Sequence, residues 1–170
     1  MKSKENLVFL GMMGSGKTSI GSIISQKLKI NFIDVDQEIE KKIGMKIHMI
    51  FRKEGEKYFR KIEEDLTLKI LKKNNTVISL GGGAFLNPKI KKQILENHIS
   101  FWLNWEITTL VDRIEKNQKR PIAFNSTRNE LIELIKKRSI VYSKAMYKIE
   151  CENLTKDQIV KNVLKIYEAH

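Results

Sequence analysis

The chain has 170 residues, 41% of them hydrophobic and 31% charged, which is enough for one sizeable core and too little for two ordinary domains. No apolar run approaches a membrane span, the early run "LVFL" is too short for a secretory leader, and the single cysteine, Cys151, rules out an internal disulfide and fits a cytoplasmic protein. The net charge of +12 invites a nucleic-acid reading, but the lysines are spread over almost every predicted helix, as in "EIEKKIGMK", "LKILKKNN" and "KIKKQIL", which argues for solvated helix surface and against a basic binding arm.

In chain order, short apolar runs alternate with amphipathic segments. Strands are predicted at "NLVFLG" (6 to 11), "INFIDV" (30 to 35), "TVISLG" (76 to 81), "ISFWLN" (99 to 104) and "YKIEC" (147 to 151). Helices are predicted over residues 17 to 28, from about Asp36, Glu56 and Pro88, from about Ile107 to Lys116, and over about 129 to 143 and 155 to 169. Buried strands separated by helices imply an α/β protein, a five-stranded parallel sheet covered on both faces in three α/β/α layers, with ligands gathered at the carboxyl ends of the strands. The stretch "EKNQKRPIAFNSTRN" (115 to 129) lacks periodicity and reads as a surface loop or mobile lid.

The sharpest local signal follows the first strand. "GMMGSGKT", Gly11 to Thr18, fits G-x-x-x-x-G-K-[ST] between a strand and a helix. Gly11, Gly14 and Gly16 permit backbone angles that turn N–H groups inward around phosphate oxygens, Lys17 reaches the β- and γ-phosphates, and the Thr18 hydroxyl suits Mg²⁺. Ser15 and Ser19 complete the predicted nucleotide-contacting set at the positive end of the following helix.

The second strand ends in "FIDVDQEIE". If it stays extended, Asp34 and Asp36 face the same side at the γ-phosphate edge, one for a metal shell and the other over an acceptor hydroxyl; alternatively Asp36 caps the next helix. In "RNELIELIKKRSIVY", Arg138 stands on the stripe of Leu131, Leu134, Ile135 and Tyr142, where an unpaired cation is costly and an anionic partner is expected. Arg60 flanks the stripe Phe59, Ile62, Leu66 and is either a surface partner of Glu63 or Glu64 or the second half of a carboxylate clasp.

These segments together resemble the shikimate kinase family. "GMMGSGKTSIG", "FIDVDQEIE", "IFRKEGEKYFRKIEE", "VISLGGGAF", "KRPIA" and "KKRSIVYSKA" stand in that family's order and approximate spacing from about residue 7 to 151. The resemblance implies a nucleoside-monophosphate-kinase-like phosphate-loop fold in one domain over 1 to 170, with a substrate-binding segment at about 34 to 62 and a lid at about 113 to 128. It implies transfer of the γ-phosphoryl group of ATP to the 3-hydroxyl of shikimate, with Mg²⁺, in chorismate and aromatic amino-acid biosynthesis, by a monomer that binds neither nucleic acid nor membrane. Carried over residue by residue, Asp36 resembles the group that holds and deprotonates the hydroxyl, and Asp34 a substrate or metal contact. Arg60 and Arg138 resemble the carboxylate clasp braced by Glu63, with Phe51 and Phe59 lining the pocket. Arg120 resembles the catalytic lid arginine, Arg113 an arginine against adenine, and Ser79 a metal-shell position. Gly81, Gly82 and Gly83 are expected to bring backbone N–H donors against the substrate ring, so that Gly82→Ala should weaken shikimate binding and leave ATP binding nearly intact. After "RP" the lid continues Ile122, Ala123 where the family has two leucines. Alternatives on the same loop are a gluconate-type kinase, a nucleotide kinase or a non-kinase ATPase or switch. His48, His98 and His170 show no metal spacing, and Trp102, Trp105 and Cys151 read as packing.

Overall fold

In a computed structural model, residues 5–116 and 126–170 are described. The elements are β1 (Leu7–Leu10), α1 (Lys17–Leu28), β2 (Asn31–Asp34), α2 (Val35–Ile43), α3 (Ile47–Leu71), β3 (Thr76–Ser79), a short 3₁₀ turn (Ala84–Leu86), α4 (Pro88–Asn97), β4 (Ile99–Asn104), α5 (Ile107–Lys116), α6 (Arg128–Tyr142), β5 (Tyr147–Glu150) and α7 (Lys156–Ala169). The five strands form one parallel sheet in the order β2-β3-β1-β4-β5.

Strand alternation divides the interior into two cores. Val8, Leu10, Ile78 and Trp102 face the side covered by α2 to α6, meeting Ile39, Ile50, Phe59, Ile90, Val111 and Ile135. Their neighbours Leu7, Phe9, Val77, Phe101 and Leu103 face the other side, against Ile20 and Ile24 of α1 and Ile159 and Val163 of α7. Strands buried on both faces read as the unbroken apolar runs from which they were predicted. The result is the three-layer, nucleoside-monophosphate-kinase-like α/β/α arrangement.

One boundary differs from expectation. The helix expected from Glu56 begins at Ile47, because α3 is two helical stretches meeting at Gly55, whose φ of 82° and ψ of 170° are non-helical. The break shifts the phase of the apolar stripe, so no single period runs through it. His98 is buried at the amino end of β4, where its Nδ1 accepts from the Asn6 N–H at 3.4 Å. Among the described residues no helix is long and apolar enough to cross a membrane.

β1 lies between β3, the strand reached by the crossover through β2, and β4, on the opposite side. The strand order therefore reverses around β1, and the crevice beyond its carboxyl end is where a sheet of this kind holds ligands. The loop after β1, Asp34, Ser79 to Gly83 and Trp105 all emerge at that edge.

Candidate active site

The loop after β1 turns into α1 through Gly16, which has a φ of 88° and serves as N-cap with no side-chain cap. A residue with a Cβ is strained there. Lys17 is buried and curls back, its Nζ donating to the carbonyls of Gly11 at 3.0 Å and Met12 at 2.8 Å. The Ser15 N–H closes a turn on the Met12 carbonyl at 3.2 Å. Arg113, on α5, donates from Nη1 to the Gly14 carbonyl at 3.2 Å. A cavity of about 260 Å³ opens over this loop, lined by Gly14, Gly16, Lys17, Thr18, Ser19, Asp34, Asp36 and Ser79.

β2 does not stay extended through the acidic pair. It ends at Asp34, and α2 starts at Val35, so Asp34 rather than Asp36 is the cap: its Oδ1 accepts from the Gln37 N–H at 3.1 Å. The other oxygen of Asp34 accepts from Thr18 Oγ1 at 2.6 Å, tying the carboxylate to the phosphate loop. Asp34 stands in register with Ser79 on β3. Asp36, in the first turn of α2, points to the same crevice and lies beside Gly81. The two carboxylates thus converge although their backbones are helical and extended in turn.

A second cavity, of about 330 Å³, adjoins the first and shares Gly14, Thr18, Asp34 and Asp36 with it. Its lining includes Phe51, Phe59, Arg60, Glu63, Gly82, Gly83, Arg113 and Arg138. Arg60 pairs with Glu63 through Nη1 at 2.7 Å and with Glu56 through Nε at 3.2 Å. The Glu63 pair was the simpler of the two sequence readings, and it coexists with a place on the cavity wall. Its guanidinium also lies 5.2 Å from the centre of the Phe59 ring, which packs 4.6 Å from that of Phe51. Burial pushes the Glu63 carboxyl above its ordinary value; Arg60 draws it back and Asp36 adds to the rise.

Arg138 is 5% exposed and its Nε meets no hydrogen-bond acceptor among the described residues. Its Nη1 lies 3.9 Å from the Met12 sulfur. A buried guanidinium with an unsatisfied donor and an open cavity before it is a place for an anion, and the planar fork suits a carboxylate.

Two of the three glycines, Gly81 and Gly83, are required by the protein's own side chains. A Cβ on Gly81 would stand 2.6 Å from Asp36 Oδ1 and 2.8 Å from Glu63 Oε1, and one on Gly83 would stand 2.8 Å from Arg60 Cζ. At Gly82 the nearest atoms, Arg138 Nη1 and the Met13 N, are both 3.5 Å away, an ordinary contact. Gly82 also lines the larger cavity, so the expected loss of shikimate binding in Gly82→Ala would come from contact with the ligand and not with the protein's own side chains.

Sequence reading missed Tyr142. Its hydroxyl, four residues after Arg138 on the same inward stripe, donates to the Gly82 carbonyl, and burial raises its pKa to about 12. The signal available was a tyrosine on an apolar stripe, whose buried hydroxyl needs a partner. His48 is exposed and stands at the mouth of the larger cavity with Gln37, Glu40 and Ile47. Arg120 lies outside the described residues, as does the centre of the expected lid.

Comparison with known proteins gives the same reading from an independent direction. The family model described as shikimate kinase matches residues 13–168. The shikimate kinase of Persephonella marina is 37% identical over 159 residues, 94% of this chain and 96% of the relative. Shikimate kinase from Acinetobacter baumannii, solved in complex with shikimate, superposes with a TM-score of 0.92 at 27% identity, covering 99% of this chain and 95% of that one. The enzyme from Aquifex aeolicus superposes with a TM-score of 0.83 at 32% identity, covering 96% of both chains. A phosphate loop, an acidic pair and an arginine-lined cavity on one sheet edge thus coincide with likeness over nearly the full length: the chain belongs to the shikimate kinase family.

Proposed function

We propose that the protein transfers the γ-phosphoryl group of ATP to the 3-hydroxyl of shikimate, giving ADP and shikimate 3-phosphate. One observation carries the proposal: Asp34 and Asp36 line both a cavity over the phosphate loop and one that holds a buried, incompletely paired arginine. A donor phosphate and a small carboxylated alcohol can thus meet at Asp36.

In this reading Gly11, Gly14, Ser15, Gly16, Lys17, Thr18 and Ser19 hold the ATP phosphates, and Lys17 exchanges its loop carbonyls for phosphate oxygens. Arg138 and Arg60 clasp the shikimate carboxylate, with Phe51 and Phe59 against the ring and Glu63 holding Arg60. Asp36 accepts the hydrogen bond of the attacking hydroxyl, aligns its oxygen with the γ-phosphorus and takes its proton late in a loose transition state. Gly81 admits Asp36 and Glu63 at close range, Gly83 admits Arg60, and Gly82 presents its backbone to the substrate cavity. Arg113 borders the base, and Arg120 closes from the lid over the phosphates.

The donors present fit Mg²⁺. Thr18 Oγ1 and Asp34 Oδ2 lie 2.6 Å apart beside Ser79, a hard-oxygen set with one carboxylate, as suits an ion bound mainly through phosphates and water. Mg²⁺ there would supply charge neutralisation on the phosphate oxygens. We further propose that the enzyme works as a cytoplasmic monomer in chorismate and aromatic amino-acid biosynthesis, as one domain with the substrate-binding segment at 34 to 62 and the lid at 113 to 128.

Turnover by the Asp36→Asn variant tests the assignment. Shikimate-dependent ADP release should fall by at least about 10²-fold, the lower end for loss of a positioned proton acceptor. Wild-type release by that variant would sink the role given to Asp36, and release dependent on gluconate in place of shikimate would sink the acceptor.

A further inference from the structure

Trp105 and Arg113 brace the phosphate loop from outside. Trp105 follows the last residue of β4 and packs against both cores. Its indole Nε1–H donates to the Ser15 carbonyl at 3.0 Å. The Arg113 guanidinium lies over the same ring, Cζ 3.8 Å from its centre, and donates to the Gly14 carbonyl at 3.2 Å. Two consecutive loop carbonyls are therefore held by one indole and by the guanidinium it supports.

In a trans peptide, the C=O of one residue and the N–H of the next point in opposite directions. Holding the Ser15 carbonyl against Trp105 consequently turns the Gly16 N–H away from the indole, and Gly16 lines the cavity over the loop together with Lys17 and Thr18. The plane so held precedes a glycine, Gly16, which carries no side chain to restrict it and has a φ of 88°. We infer that Trp105 is a positioning residue for the nucleotide phosphates: its indole N–H fixes the 15–16 peptide with the Gly16 N–H aimed at the phosphate, and its ring seats Arg113 against the preceding peptide. This rests on the phosphate-loop reading above and adds to it a residue that the loop motif does not contain.

Trp105→Phe removes the N–H donor and keeps an aromatic ring beneath Arg113. Calorimetric titration of wild type and W105F with MgADP, with inorganic pyrophosphate and Mg²⁺, and with shikimate distinguishes positioning from packing. W105F is expected to bind MgADP and pyrophosphate about five- to tenfold more weakly, the range for one lost hydrogen bond, while shikimate changes by less than about twofold. In the unmodified chain, the Trp105 indole ¹H–¹⁵N resonance should shift on addition of MgADP or pyrophosphate and stay in place with shikimate. That measurement decides the matter if W105F fails to fold. Unchanged MgADP affinity, an equal loss for all three ligands, or an unmoved indole resonance would overturn the inference. Weakening of MgADP without pyrophosphate would also overturn it, by locating the effect at the base. A wild-type chain that bound no MgADP would instead refute the phosphate-loop reading itself.

Discussion

Replacing Gly81 by alanine puts a methyl group where two carboxylates already stand. At 2.6 Å from Asp36 Oδ1 and 2.8 Å from Glu63 Oε1, with ordinary contact starting at 3.4 Å, Asp36 must retreat by about 0.8 Å and Glu63 by about 0.6 Å. Both atoms are the far ends of side chains, so the fold can absorb the change at a stability cost of about 1 kcal/mol, the low end for added bulk. The chemistry cannot absorb it, since a misplacement of about 1 Å in a group that aligns the reacting atoms is worth about 10²-fold. We expect kcat for shikimate-dependent ADP release to fall about 10²-fold, with the KM for ATP within about twofold of wild type because the phosphate loop hangs from β1 and not from β3. Gly82→Ala is the matched control: its Cβ meets nothing closer than 3.5 Å, and kcat should stay within about threefold. A coupled ADP assay at saturating shikimate, run beside thermal melts, reads both. A Gly81→Ala enzyme within threefold of wild-type kcat, or one that lost ATP affinity in the same proportion, would refute the reasoning.

Arg138→Lys keeps the charge and loses the planar fork, so the KM for shikimate should rise at least about tenfold with ATP binding little changed, and an equal loss of both ligands would contradict the clasp. Tyr142→Phe leaves the buried Gly82 carbonyl without its donor; a loss of about 1–3 kcal/mol in chemical denaturation is expected, together with weaker shikimate binding. Glu63 has its pKa raised by burial, so in the pH window above its ordinary 4.5 the folded state binds more protons than the unfolded chain and stability falls as pH rises. The stability of wild type relative to Glu63→Gln should therefore decline as pH rises through that window, and a difference that grew with pH would reverse the sign of the argument.

The parts of this molecule that were legible in advance depend on local pattern. Strands buried on both faces are continuous apolar runs, and the phosphate loop is a fixed spacing of glycines, lysine and threonine whose backbone demands leave few alternatives. Arg138 could be singled out because a cation on an apolar stripe contradicts its surroundings, and it is indeed buried. What was not legible depends on long-range geometry. Asp34 and Asp36 were paired by strand parity, yet the helix begins between them, and a bend in the chain rather than extension brings both carboxylates to one crevice. Phe51 lies on helix before Gly55, and the non-helical φ there puts its stripe out of phase with the one containing Phe59, so the two aromatic walls meet without sharing a period. The glycine run was legible as a place of close approach, but not that the atoms crowding Gly81 and Gly83 belong to Asp36, Glu63 and Arg60, contacts that only the folded chain creates. Trp105 and Tyr142 read as packing for the same reason: each donates to a loop carbonyl distant in sequence.

The central claim is that phosphate passes directly from ATP at the loop to a carboxylated alcohol held by Arg138. Phosphorus NMR of the purified protein with MgATP, with and without shikimate, tests it most directly. The account predicts one shikimate 3-phosphate formed per ADP, with no inorganic phosphate accumulating and negligible ATP loss when shikimate is omitted. ATP hydrolysis to free phosphate at the same rate in both samples, without a shikimate phosphate ester, would contradict it.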